Sequence, residues 1–325
     1  MKIFITGGAG YVGSKLVPKL LECGHEVTVL DLMIYGENVL DDHLKLKKIK
    51  GDIRNINLLK EIVPEHDVVI HLACISNDPS FELNPNLGKS INYDAFEPLV
   101  LISKQNKVNR FIYASSSSVY GIKKEKNVTE DMELEPLTDY SKFKGDCEKI
   151  LNKHNSLDFI TTTIRPSTVC GYAKRQRLDV VVNILSNHAF HNREIKVFGG
   201  SQLRPNIHID DMVNSYLALL DAPSNKINGE IFNVGFKNQT VNELADDVKE
   251  IMGLDVKIIN TKSDDNRSYH VSSEKIKQTL GFTTKYTVRD AVSDLKIAFE
   301  KKLLPDSFND AKYFNIKAMQ LTELI

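Results

Sequence analysis

Cysteine is scarce and scattered in this 325-residue chain: Cys23, Cys74, Cys147 and Cys170 form no CxxC pair. That spacing speaks against a structural zinc site and implies reduced thiols in a cytoplasmic protein. No apolar run is long enough to span a bilayer. The N-terminal "MKIFITGGAGYVG" passes straight into a strand and a glycine loop, without the pattern of a signal peptide. Charge of one sign is also missing. The 42 Lys and Arg against 43 Asp and Glu leave a net charge of -1, which offers nucleic acid no electrostatic footprint. No Pro/Gly/Ser-rich linker and no internal repeat divides the chain. His71 and His208 read as structural, and no metal-binding constellation stands out.

What is present supports a sizeable core, with 42% apolar residues in a length suited to one large or two small domains. β-rich runs alternate with amphipathic stretches: "KIFIT" (2–6), "EVTVL" (26–30), a strand within "LKLKKIKGD" (44–52), "DVVIHLA" (67–73), "RFIYAS" (110–115) and "FITTTIRP" (159–166). Helical spacing fills about 54–64, 86–105 and 139–154. This βαβ rhythm predicts an α/β fold with a parallel sheet covered on both faces. Beyond about residue 166 it gives way to helices near 177–190, 209–221, 240–252, 272–280 and 287–302 with brief strands. The expected division is a nucleotide-binding core over 1–170, to which about 205–235 return, and a smaller, mainly substrate-binding cap over 171–325. From about Pro305 onward the pattern carries no signal.

"FITGGAGYVGSKL" places Gly7, Gly10 and Gly13 directly after a strand and at the opening of a helix. A tight turn, close approach of backbone to a pyrophosphate and close helix–strand packing all require that arrangement. A glycine triplet alone is weak evidence, but Asp31 ends the second strand eighteen residues past Gly13. A carboxylate there accepts bonds from the adenosine ribose hydroxyls and repels a 2′-phosphate, favouring NAD over NADP. Asp52, in "GDIR", stands either at the adenine edge or as the N-cap of the following helix.

"TDYSKFKGD" sets Tyr140 and Lys144 four apart on one helical face. A phenol with a pKa near 10 is a poor base, and an adjacent ammonium together with a cationic nicotinamide ring favours the phenolate. Lowering the pKa by ~3 units requires ~4 kcal/mol, which a buried pair supplies and a solvated one does not.

"TGGAGYVGS", "LDL", "GDIR", "HLA", "SSSSVYG", "YSKFK", "RPSTVCG", "VFGGSQLRPNIHIDDM" and "NVG" together resemble the extended short-chain dehydrogenase/reductases that act on nucleotide sugars, the NAD-dependent epimerase/dehydratase group. The resemblance runs from residue 1 to about 300. It implies a Rossmann-like core, a Ser/Thr-Tyr-Lys catalytic set, and homodimers formed through helices near 90–105 and 139–154. It further implies cofactor contacts from Tyr11, Val12, Ile53, Leu72, Ala73, Pro166 and Val169 beside the glycines, from Ser115, and from Tyr140 and Lys144. Asn92 matches an asparagine that supports the active-site serine strand.

Strand alternation divides the serine run into Ser115/Ser117 and Ser116/Ser118 and goes no further. The family spacing, four before Tyr120 and 24 before Tyr140, selects Ser116 as the catalytic hydroxyl. Ser118 would then face the same cleft and touch substrate. The 4,6-dehydratases of the family carry Asp-Glu after this serine; Ser117-Ser118 stand here, which disfavours elimination of water.

A nucleotide-diphosphate sugar calls for guanidinium forks. Arg204 matches the family arginine that binds the diphosphate, Arg267 resembles a second, and Asn183 falls where an amide often meets diphosphate or sugar. Arg177 follows the sixth strand within reach of substrate, and Ser76 and Asn77 follow the fourth at the edge of the sugar pocket. Asp210 and Asp211 read as helix caps. The "RQRLDVVVN" segment departs from UDP-galactose 4-epimerases and leaves nucleotide and sugar open. The expected activity is NAD-dependent epimerisation of a nucleotide sugar at C4 through a 4-keto intermediate. A C4 dehydrogenase or reductase and a nucleotide-sensing binder without turnover are the alternatives.

Overall fold

The computed structural model describes residues 1–125, 127–262 and 270–322. Its centre is a seven-stranded sheet whose neighbouring strands all run parallel. The strands are β1 (Lys2–Thr6), β2 (Glu26–Asp31), β3 (Leu46–Lys50), β4 (Val68–His71), β5 (Arg110–Ala114), β6 (Ile160–Pro166) and, after a long excursion, a later strand Glu230–Val234. Short β-branched runs such as Ile3–Ile5 and Val68–Ile70 are wholly or almost wholly buried, as a sheet covered on both faces requires. The order is Glu230–Val234, β6, β5, β4, β1, β2, β3. The chain therefore reverses its direction of sheet growth between β1 and β4, which opens a crevice at the strands' C-terminal ends.

The second layer of structure hangs over that crevice. β7 (Thr168–Cys170), β9 (Leu203–His208) and β11 (Lys237–Thr240) form a three-stranded sheet, and β8 (Glu194–Phe198) pairs with β12 (Lys257–Thr261). The large-sheet strand Glu230–Val234 is β10 in this order. Helices Val181–Asn192, Val241–Met252 and Val288–Glu300 enclose a separate core built on Leu185, Leu244, Val248 and Leu295.

Four local expectations change. The helix expected over 86–105 is Pro85–Lys89, a wide π turn at Ser90–Asp94, then Phe96–Gln105. The widened turn faces Asn92 inward, where both ends of its amide hold the backbone of Ile75. The strand entering the serine run stops at Ala114, and Ser116 caps a 3₁₀ turn over Ser117–Tyr120 by accepting from the Ser118 N–H. His208, not Asp210 or Asp211, caps the Ile209–Asp221 helix, and the Asp211 carboxylate instead accepts from the N–H groups of Lys285 and Tyr286. With Asp210 and Asp294, His208 brings three metal-type ligand atoms within 4.8 Å, and Lys15 already pairs with Asp210 at 3.0 Å. Between Pro305 and Thr322, where the sequence carried no signal, there is a turn at Ala311–Tyr313 and a helix at Asn315–Leu321.

His71, at the end of β4, is fully buried, 2.7 Å from Thr6 Oγ1 and stacked on Tyr113. Burial pushes its pKa down to about 3. The neutral ring therefore contributes stability that is complete above the unfolded value near 6.5 and lost as pH falls toward 3, up to ~4 kcal/mol. Urea melts from pH 7 to pH 4 should show a steeper loss in the wild type than in His71→Gln. Equal slopes would remove His71 from the acid response.

Candidate active site

A cavity of about 460 Å³ lies where β1, β2, β4 and β5 end. Its floor is the glycine turn. Gly7 has φ +74°, and a Cβ there would stand 2.5 Å from the Ala73 nitrogen. A Cβ on Gly13 would stand 2.4 Å from the Gly8 carbonyl oxygen. Neither position accepts a side chain. The turn is thus pressed against the end of β4 while the Gly13–Glu22 helix starts beside it, its first turn uncapped by any side chain. The positive end of a helix, opened by close-packed glycines, suits a diphosphate, so these residues fit the cofactor that the glycine spacing implied.

Gly10, Tyr11 and Val12 line this floor, with Leu72, Ala73, Ile53, Pro166 and Val169 on the walls. Asp31 sits at the cavity edge, its two oxygens fixed by the N–H groups of Ala9 (2.9 Å) and Met33 (2.8 Å). Burial raises its pKa against those bonds and against the nearby Arg175 charge. Asp52 is a correction. It lies outside the cavity lining and forms a forked ion pair with Arg54 (2.6 and 3.0 Å), while Asn55 caps the Ile56–Ile62 helix in its place. Asn92 is another: its amide, spent on Ile75, supports the loop after β4 and not the serine strand, and it does not reach the cavity.

Ser115, Ser116, Ser117 and Ser118 all line the cavity, with unequal hydroxyls. Ser115 donates to the buried Glu148 carboxylate. Ser116 Oγ lies 2.8 Å from Ser118 Oγ, and Ser141 donates to Ser118 at 3.1 Å. Ser116 lies close enough to the Tyr140 phenol to favour its ionised form. Tyr140 opens the Asp139–His154 helix, capped by Thr138, and Lys144 follows one turn later. Both are buried. The Lys144 ammonium donates to the Ala114 carbonyl at 2.7 Å and lies 5.9 Å from the Tyr140 ring centre. Burial pushes the phenol's pKa well above its ordinary value; Cys74 and Asp78 add to this, and Arg177 and Ser116 oppose it. In the chain alone the phenol is therefore protonated at neutral pH.

Ser76 and Asn77 also line the cavity, Asn77 in the left-handed region at φ 77° and capping the short Asp78–Glu82 helix. Arg177 lines the cavity with Nε on Asp179 at 2.9 Å, and Arg204 lines it too. Asn183 is a correction. Fully buried, its amide joins the Gly171 N–H (3.0 Å), the Tyr11 hydroxyl (3.0 Å) and the Arg177 carbonyl (2.8 Å), so it braces the site from behind. Arg267 lies outside the described residues. Several cavity residues went unread in the sequence, Asp78, Arg175 and Asn315 among them. Asp78 stands one past Asn77, and Arg175 lies in the same basic stretch as Arg177, so both had a local signal; Asn315, from the C-terminal helix, had none.

A phenol and an ammonium held beside a dinucleotide cradle are the working parts of the extended short-chain dehydrogenase/reductases. Residues 3–235 match the model of the NAD dependent epimerase/dehydratase family, and the chain belongs to that family. A UDP-glucose 4-epimerase of Lactobacillus helveticus is 26% identical over 313 residues, spanning 90% of this chain and 94% of the relative. A dTDP-glucose 4,6-dehydratase of Streptomyces niveus is 25% identical over 319 residues, spanning 90% of each chain. Among solved structures, the UDP-glucose 4-epimerase of Thermotoga maritima with UDP-glucose superposes with a TM-score of 0.85 at 26% identity, covering 93% of this chain and 100% of that one. NAD is the cofactor of this family.

Proposed function

We propose that the chain is a nucleotide-sugar epimerase acting at C4 through a 4-keto intermediate. The observation that carries this reading is the convergence of Ser116, Tyr140 and Lys144 on one cavity, with serines where the family's dehydratases hold Asp-Glu. NAD, when bound, would supply a reversible hydride acceptor and a positively charged ring. Tyr140 then takes the C4 hydroxyl proton and later returns it. Ser116 orients that hydroxyl, and the buried Lys144 ammonium favours the phenolate. Arg204 and Arg177 supply guanidinium groups for the diphosphate of the substrate. A carboxylate does enter the cavity, Asp78, but it comes from the loop after β4 and accepts from the Thr138 hydroxyl.

The test is incubation of purified protein with UDP-, GDP-, CDP- and dTDP-sugars, following sugar configuration and NADH absorbance together. Inversion without net NADH is the expected result. Stoichiometric NADH with a released ketone makes the chain a dehydrogenase. A 4-keto-6-deoxy product makes it a dehydratase, with Asp78 as the available acid. Nucleotide binding without any product makes it a sensor. The proposal extends to a homodimer through the Phe96–Gln105 and Asp139–His154 helices, which sedimentation would read directly.

A further inference from the structure

Arg175 is 4% exposed, and its Nε–H has no hydrogen-bond partner. The rest of its guanidinium is fixed. Its central carbon lies 3.6 Å from the centre of the Tyr35 ring, and one terminal nitrogen donates to Asn315 Oδ1. A guanidinium keeps its charge when buried, and a buried charged donor without an acceptor is costly. The arrangement therefore suits an acceptor that arrives with a ligand.

Position identifies the ligand. Arg175 stands in the wall between the main cavity and a smaller one of about 240 Å³. On the main side its backbone N–H lies 3.4 Å from Ser14 Oγ, in the first turn of the Gly13–Glu22 helix, and its charge acts on Asp31. Those are the phosphate and ribose ends of the dinucleotide cradle. The substrate end is served by other cations, Arg177 and Arg204.

Asn315 holds this arrangement from the far end of the chain. It is 3% exposed. Its Oδ1 accepts from Arg175 and from the Tyr35 hydroxyl (3.1 Å), its Nδ2 donates to Ser76 Oγ (2.8 Å), and its backbone N–H donates to Asp179 (2.8 Å). One residue thus ties the loops after β2, β4 and β7 together over the cavity.

We propose that Asn315 is a positioning residue that aims the Arg175 Nε–H at a phosphate oxygen of the bound dinucleotide, so that the C-terminal segment completes the cofactor site. The proposal rests on NAD binding and is independent of which reaction follows.

The test reads binding, not turnover. NAD affinity is measured by titration of NAD-stripped protein, with UDP as the substrate-side control and a thermal melt as the fold control. Arg175→Met should weaken NAD about 10- to 100-fold, the range for a lost charge-assisted bond, and leave UDP within twofold. Asn315→Ala should weaken NAD in the same direction, and the double variant should be no weaker than Arg175→Met alone. Asn315→Asp keeps the acceptor for Arg175 while losing the donor to Ser76, so it should bind NAD like the wild type. A merely structural tail would make Asn315→Asp as weak as Asn315→Ala and would overturn the positioning role. NAD affinity within twofold of wild type in a folded Arg175→Met would assign the Nε–H to the smaller cavity and overturn the whole. Should Arg175→Met fail to fold, the Asn315 pair decides.

Discussion

Tyr140→Phe should lower kcat/KM by about 10³-fold or more while NAD affinity and the melting temperature stay close to wild type. The size follows from the role: general acid–base groups contribute about 10²- to 10⁴-fold. The ring is buried against Phe81 and its hydroxyl is the only part removed, so packing survives. A pH profile adds a second reading. Burial raises the pKa of this phenol, so activity carried by the phenolate rises with pH through the value it takes in the NAD complex. Difference absorbance near 295 nm should show Tyr140 protonated at neutral pH in NAD-stripped protein and ionising at lower pH once NAD is bound. Turnover like the wild type in the phenylalanine variant would overturn the mechanism.

The second large effect concerns stability. Arg165 on β6 and Glu148 on the Asp139–His154 helix form an ion pair, each side chain 3% exposed, with bonds of 2.7 and 3.0 Å. Arg165 also donates to the Tyr120 hydroxyl at 2.6 Å, and Glu148 accepts from Ser115. The pair therefore lies directly beneath the serine turn. Glu148→Ala leaves a guanidinium buried without its counter-charge and should cost ~3–5 kcal/mol, with a melting temperature lower by about 10 °C. Replacing both partners by apolar residues of similar volume, Arg165→Met with Glu148→Leu, should recover much of that loss. A single variant as stable as wild type would show that water reaches the guanidinium.

Much of the sheet was legible because its signals are local. β-branched runs of strand length and glycines at fixed offsets need no knowledge of distant residues, and β1, β2 and β6 fall within a residue or two of expectation. The serine run misled in part because alternation assumes that a strand continues. Hydroxyls bond to nearby backbone, and the Ser116–Ser118 contact turns the chain after Ala114. Asp52 held its answer two residues away, in the Arg54 of "GDIR". Asn183 did not: its partner Tyr11 lies 172 positions earlier, and a lone amide in an apolar stretch reads the same whether it meets ligand or backbone. Asn315 is the extreme case. Tyr35 and Ser76 are 280 and 239 positions distant, and nothing around "YFNIK" marks a residue that spans a cleft.

The Tyr11–Gly171–Asn183 contact bears on how such proteins diversify. Tyr11 belongs to the glycine turn, and its hydroxyl donates to the Gly171 carbonyl at 2.6 Å while accepting from Asn183 at 3.0 Å. The cofactor turn is thereby bolted to the first helix of the cap. A cap from a relative with another sugar preference, grafted at residue 171, would sever this knot and leave the Tyr11 hydroxyl stranded in a dry interior. Exchange of the segment beyond residue 171 as a cassette should therefore cost stability unless partners for the Tyr11 hydroxyl come with it.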